Sequence, residues 1–257
     1  MKHPVIPILV FAFLSVPACL MAGNPVEPPA VRPAKEPPDA PAVKLDKEGK
    51  PSEVFLAAHG SFLQRAKQGP VDLLFIGDSI TAGWASSGKQ AWARHYAGLN
   101  AANFGVGGDR TQNVLWRIGH DELAAISPRV VVLLIGVNNG GKPDVFPGIS
   151  KIVSEIRGRL PASRVLLLGV FPHGNDPADA PWIPRARAAI VELNRLLASL
   201  DDGGHVRFLD IGGSFLDASG SISKEIMPDG LHPGPKGYQI WAEAMQPLLD
   251  EMLAAGK

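Results

Sequence analysis

Residues 71–80 read Val-Asp-Leu-Leu-Phe-Ile-Gly-Asp-Ser-Ile, a short apolar run that ends in a glycine, an acid and a serine. A run without polar alternation suits a strand buried on both faces, the habit of parallel sheets. Four further runs of this kind lie at residues 101–104, 130–135, 165–170 and 206–209. Between them, helical periodicity is expected at 90–97, 111–126, 147–160 and 183–201, with a last helix at 235–254. A capped helix opening at Ser52-Glu53 and ending before Gly69-Pro70 precedes the first run. Strand alternating with helix predicts an α/β fold, a three-layer doubly wound sandwich. In such sheets ligands bind beyond the C-terminal ends of the strands, so the loops after each run are where chemistry is expected.

Those loops are polar and rich in glycine. The first holds Gly77-Asp78-Ser79, the second Gly105-Val106-Gly107-Gly108-Asp109, the third Gly136-Val137-Asn138-Asn139. A fourth polar stretch, Asp229-Gly230-Leu231-His232, lies near the C-terminus between Pro228 and Pro233. A serine hydroxyl is a weak nucleophile until a base takes its proton, and histidine oriented by a carboxylate is the usual base. Ser79, Asp229 and His232 supply those three groups, and activity should fall on acidification as the base is protonated. At a helix start the Ser79 N–H could also face a developing oxyanion. The backbone N–H of Gly108 and the side-chain amide of Asn138 are donors of the type that stabilise a tetrahedral oxyanion. Gly105 and Gly107 are assigned to turn geometry, and Asp78 and Asp109 to shaping their loops. Ser79 as a mere helix cap, and Asn138 as a turn residue, are the bland alternatives. His59, His95, His120, His173 and His205 lack a comparable setting and are expected to be surface or helix histidines.

The four blocks Gly77-Asp78-Ser79, Gly108 before Asp109, Gly136-Val137-Asn138 and Asp229-x-x-His232 resemble, in order, those of the SGNH (GDSL-type) hydrolases. The spellings Asn103-Phe104-Gly105-Val106-Gly107-Gly108-Asp109-Arg110-Thr111 and Val114-Leu115-Trp116-Arg117 are similar to the catalytic subunits of intracellular platelet-activating factor acetylhydrolases. The resemblance covers roughly residues 70–253. It implies a flavodoxin-like sheet of five parallel strands and no metal or other cofactor. It implies catalytic roles for Ser79, Gly108, Asn138, Asp229 and His232. The implied reaction is hydrolysis of a short acyl ester, most simply acetyl, through an acyl-enzyme. Lipid or thioester substrates are the alternative, as is a non-catalytic envelope- or carbohydrate-binding module.

Working outward, Met1-Lys2-His3 and an apolar stretch over residues 5–18 have the order of an export signal, with small residues Ala18, Ala22 and Gly23 after it. The expected locations are periplasmic, extracellular or membrane-anchored. Val16-Pro17-Ala18-Cys19 resembles a lipobox, which makes Cys19 a candidate lipid anchor; signal cleavage after Ala22 is the alternative. Eight prolines fall between Asn24 and Pro51, so residues 23–52 are expected to be a proline-rich linker, and 53–257 the hydrolase domain. Cys19 is the sole cysteine, which excludes an intramolecular disulfide. With 25 Lys+Arg against 25 Asp+Glu there is no whole-chain drive toward nucleic acid. A small-molecule or polysaccharide ester is the expected partner.

Two other chemistries are disfavoured by single residues. Gly136 to Lys142 approaches a phosphate-binding loop after a strand, but Pro143 stands where a magnesium-binding Ser or Thr belongs. No Gly-x-Ser-x-Gly elbow exists, which argues against an α/β-hydrolase.

Overall fold

The computed structural model describes residues 36–255. The expected export signal, Cys19 and the first part of the proline-rich segment lie outside them. Five strands, β1 (Leu73–Gly77), β2 (Ala101–Gly105), β3 (Val130–Leu134), β4 (Arg164–Leu168) and β5 (Val206–Leu209), form one parallel sheet in the order β2-β1-β3-β4-β5. This is the doubly wound order whose switch point lies beside β1, where the connection leaves in opposite directions.

Alternate side chains of the central strands enter two separate cores. Leu74, Ile76, Val131, Leu133, Val165 and Leu167 face one side. There they meet α1 (Glu53–Lys67), α4 (Thr111–Gly119), α5 (Phe146–Arg159) and α6 (Trp182–Ala198). Leu73, Phe75, Val130, Val132, Leu166 and Leu168 face the other side, against α3 (Lys89–His95) and α7 (Pro235–Ala254). Both faces need apolar residues, which is why these strands show no polar alternation. The edge strands β2 and β5 are only partly buried.

Two expectations are corrected. The helix expected over 111–126 stops at Gly119. Asp121 takes a left-handed φ of 67°, which ends the helical path. Leu123 and Ile126 are buried from the turns that follow, so they mimic a continuing helical period.

The linker expected over residues 23–52 does not run free from Glu36 onward. The Pro38 carbonyl accepts from Thr111 Oγ1 at 2.7 Å and the Glu36 carbonyl from Gln112 Nε2 at 2.8 Å. Ala42 donates to the Gln112 carbonyl at 3.0 Å, and its own carbonyl accepts from Asn113 Nδ2 at 3.1 Å. Leu45 and Pro51 close a bridge that delivers Ser52 to the N-cap of α1, where its hydroxyl accepts from Phe55 N. Among the described residues no helix is long and apolar enough to cross a membrane.

Candidate active site

Gly77 of β1 is in register with Gly105 of β2 and Leu134 of β3, so the three following loops leave the sheet side by side. Ser79 opens α2 (Ser79–Ala82), a helix of four residues. Asp78, not Ser79, caps that turn: its Oδ1 accepts from Ile80 N at 2.9 Å. The serine hydroxyl is thereby left free of capping, and Ser79 Oγ lies 2.9 Å from His232 Nε2. A single helical turn carries little macrodipole, so what Ser79 offers an anion is its local N–H. Gly105 does not make a turn, contrary to expectation. A Cβ there would lie 2.2 Å from Ala82 N, so the missing side chain lets β2 approach α2.

The Asp229–His232 loop is folded on itself. Asp229 Oδ2 lies 2.6 Å from His232 Nδ1, and Oδ1 accepts from the backbone N–H of Leu231 and His232 at 3.0 and 2.7 Å. Gly230 supplies a left-handed φ of 74°, and its carbonyl accepts from Gly174 N. Partial desolvation opposes ionisation of Asp229, but the hydrogen bonds from the His232 ring and the two amides outweigh it and hold its carboxyl at about 2. Asp229 is therefore a carboxylate throughout the neutral range.

In the second loop Gly108 adopts φ +71°. Among the described residues, neither the N–H of Ser79 nor that of Gly108 has an intramolecular acceptor. In the third loop Asn138 Nδ2 donates one N–H to the Asp109 carbonyl at 2.9 Å, which orients the amide and leaves its second N–H available. Asn139 faces away: its Oδ1 accepts from Thr111 N at 3.0 Å and its Nδ2 donates to Gln112 Oε1 at 3.0 Å, tying this loop to α4.

Beneath the loops Arg117 is fully buried. Its Nε donates to Asp109 Oδ2 at 3.0 Å, and it also pairs with Glu122, which contacts His59 Nδ1 at 3.4 Å. Burial opposes its charge, but Glu122 and then Asp109 outweigh that cost and keep the guanidinium protonated. Asp78 is the opposite case. Its Oδ2 is buried without a partner, and burial pushes its carboxyl up to about 7. The folded state thus keeps a proton that the unfolded chain gives up near its ordinary 3.8, so this group's contribution to stability falls as pH rises from about 4 to about 7. Asp78→Asn retains a capping oxygen and removes the ionisation. It should flatten that slope in denaturant melts across pH 4–8, with its advantage over wild type largest above pH 7; an unchanged slope would contradict the assignment.

Asp229 and Asn138 also border a cleft of about 570 Å³ that includes His173, Asn175, Asp179, Trp182 and Leu231. Trp182 is 52% exposed and stacks on His173 at 5.5 Å and 29°. Neither had a signal in the sequence: His173 was expected to be a plain surface histidine, and Trp182 sits in the first turn of α6. Among the described residues no group of three or more His, Cys, Asp or Glu side chains is placed to hold a metal ion.

Known proteins share this frame. The chain is 34% identical over 202 residues to platelet-activating factor acetylhydrolase IB subunit alpha2 of Rattus norvegicus, covering 77% of this chain and 85% of the relative. It is 35% identical over 202 residues to the alpha1 subunit of Homo sapiens, covering 78% and 84%. A GDSL-like lipase from Bacteroides thetaiotaomicron superposes with a TM-score of 0.61 at 20% identity, over 77% of this chain and 98% of that one. A catalytic mutant of an acetylxylan esterase from Geobacillus stearothermophilus superposes at 0.55 and 19% identity, over 72% and 96%. The model of the GDSL-like lipase/acylhydrolase family matches residues 75–240, from the middle of β1 into α7. With that match and 34% identity to an acetylhydrolase subunit over 202 aligned residues, the chain belongs to the GDSL-like lipase/acylhydrolase family.

Proposed function

We propose that the protein is a serine carboxylic-ester hydrolase that removes a short acyl group, most simply acetyl, with Ser79 as nucleophile. The observation that carries this reading is the unbroken relay Ser79 Oγ, His232 Nε2, His232 Nδ1, Asp229 Oδ2, with contacts of 2.9 and 2.6 Å. Ser79 Oγ attacks the ester carbonyl carbon while its proton passes to His232 Nε2. Asp229 holds the imidazole in the tautomer that accepts there and stabilises the cation formed. The oxyanion that appears on the former carbonyl oxygen faces the N–H of Ser79, the N–H of Gly108 and the amide of Asn138. Collapse breaks the ester C–O bond, and His232 returns the proton to the departing alcohol. Water then enters, gives its proton to His232 and releases the acid by the same steps reversed.

Acetyl is favoured because relatives with unlike alcohols, a platelet-activating factor acetylhydrolase subunit and an acetylxylan esterase, share that acyl group in their names. The exposed indole of Trp182 in the cleft beside Asp229 offers a flat apolar platform, flanked by Asn175 and Asp179, that fits the ring of a sugar alcohol. An acetylated oligosaccharide is therefore the proposed substrate. p-Nitrophenyl acetate should be turned over faster than the palmitate ester; the reverse order would contradict the short-acyl reading. Trp182→Ala should raise KM for an acetylated xylo-oligosaccharide about tenfold, the loss expected for one stacking contact of roughly 1–1.5 kcal/mol. It should leave p-nitrophenyl acetate hydrolysis within twofold of wild type. Equal effects on both esters, or none on the oligosaccharide, would remove the platform from the account.

A further inference from the structure

The loop that carries Gly108 is a turn closed by one backbone bond, from Asp109 N to the Val106 carbonyl at 3.1 Å, and that bond does not fix which way the central Gly107–Gly108 peptide faces. Gly107 and Gly108 have no side chains to pack, and glycine backbones sample more conformations than any other. Yet an oxyanion donor is useful only if its N–H already points where charge will develop. Four side-chain contacts hold Gly107 and Asp109 from outside. Asn138 grips the Asp109 carbonyl and Arg117 grips Asp109 Oδ2. The other two come from one side chain outside the matched family region: Lys44 Nζ donates to the Gly107 carbonyl and lies 3.6 Å from Asp109 Oδ1. Asp109 Oδ1 is buried and has no hydrogen-bond partner, and the lysine ammonium adds to Arg117 in offsetting the charge of this carboxylate.

The Gly107 carbonyl and the Gly108 N–H belong to the same peptide unit. Because that unit is planar and trans, fixing the direction of the carbonyl fixes the N–H in the opposite direction. A cation on the carbonyl oxygen also polarises the amide and strengthens its N–H as a donor. A Cβ built on Gly108 would come within 3.0 Å of Lys44 Nζ, which shows how closely the lysine covers this peptide.

Lys44 itself is held in place. Its carbonyl accepts from Ser52 N at 2.8 Å at the entry to α1, and the chain before it is bound to α4 through Glu36, Pro38 and Ala42. Lys151 Nζ adds a bond from α5 to the Asp39 carbonyl at 2.9 Å. The end of the proline-rich segment is thus a strap laid along α4, and it delivers one ammonium to the back of the oxyanion loop.

We propose that Lys44 is a positioning residue: through the Gly107 carbonyl it sets the direction and donor strength of the Gly108 N–H, so that the strap completes the oxyanion hole. This rests on the reading of Gly108 as an oxyanion donor. The test uses the full chain and one activated acetate ester. Lys44→Met should lower kcat about tenfold, less than the hundredfold that a 1 Å misplacement can cost. KM should stay within twofold, because the donor acts on charge that appears only in the transition state. Lys44→Arg should recover most of the rate, since it returns a cation to the same carbonyl. Lys44→Gln keeps an N–H donor and loses the charge, and should fall between the two; it also serves if the methionine variant does not fold. A kcat within twofold of wild type in the Met or Gln variant overturns the proposal. So does a loss that Arg fails to reverse, or one that appears in KM instead of kcat. Full activity in Ser79→Ala would instead overturn the serine-esterase reading beneath it, so the two failures are distinct.

Discussion

Ser79→Ala is expected to abolish ester turnover, lowering kcat on the order of 10⁴-fold or more, with no change in fold. Among the described residues the side-chain hydroxyl makes one hydrogen bond, to His232 Nε2. The turn it opens is capped by Asp78, so the substitution removes no cap and empties no buried space. The double variant Ser79→Ala/His232→Ala should be no slower than the worse single one, because nucleophile and base act as a unit. Steady-state kinetics and a thermal melt on the same samples check this. A variant that keeps a tenth of the wild-type rate would show that Ser79 is not the nucleophile, and additive losses would show that His232 is not its base.

Asn138→Ala is the second large effect. Losing one preorganised oxyanion donor typically costs about 10²–10³ in kcat, or roughly 3–4 kcal/mol. KM should move little, because the ester carbonyl carries no such charge before attack. The neighbouring Asn139 provides the contrast. It is spent on Thr111 N and Gln112 Oε1, so Asn139→Ala should show mainly as a loss of stability, about 1–2 kcal/mol for its broken bonds to α4. Kinetics and melts of the two variants separate the roles: equal small rate losses would make Asn138 a turn residue, and a larger rate loss at Asn139 would exchange the two assignments.

The strands were legible because burial on both faces strips them of polar residues. Each expected run overlaps a strand, with ends displaced by no more than two residues, as at β1 (Leu73–Gly77) against residues 71–76. The overextended helix at 111–126 fails for a local reason. Leu123 and Ile126 keep the apolar period while Asp121 has already left helical backbone, and composition does not record a φ angle. The expectation of a flavodoxin-like sheet of five parallel strands came from the family resemblance and not from periodicity, since pairing between strands leaves no mark on either strand alone.

The candidate site was legible to a different degree. Ser79 at a strand end and Asp229 three residues before His232 together supply the nucleophile, base and orienting carboxylate that one reaction needs, and the structure brings them into one relay. Lys44 had no such signal. It sits in a proline-rich stretch whose composition reads as a free linker, yet prolines lack only the N–H and their carbonyls remain good acceptors. The strap is held largely through backbone acceptors, of which one is a proline's: the carbonyls of Glu36, Pro38 and Ala42 take side-chain donors from α4. The information that binds it therefore lies in Thr111, Gln112 and Asn113, more than sixty residues away. Trp182 and His173 were invisible for a similar reason, since their stacking depends on how the loop after β4 folds back on α6.

The most direct test of the account is covalent capture. The protein is incubated with a serine-directed phosphonate ester, digested, and the modified peptide located by mass spectrometry. A single adduct on Ser79, formed in step with loss of esterase activity and absent from the Ser79→Ala variant, is the predicted result. Inactivation with the label on any other residue, or full activity with Ser79 quantitatively labelled, would contradict it.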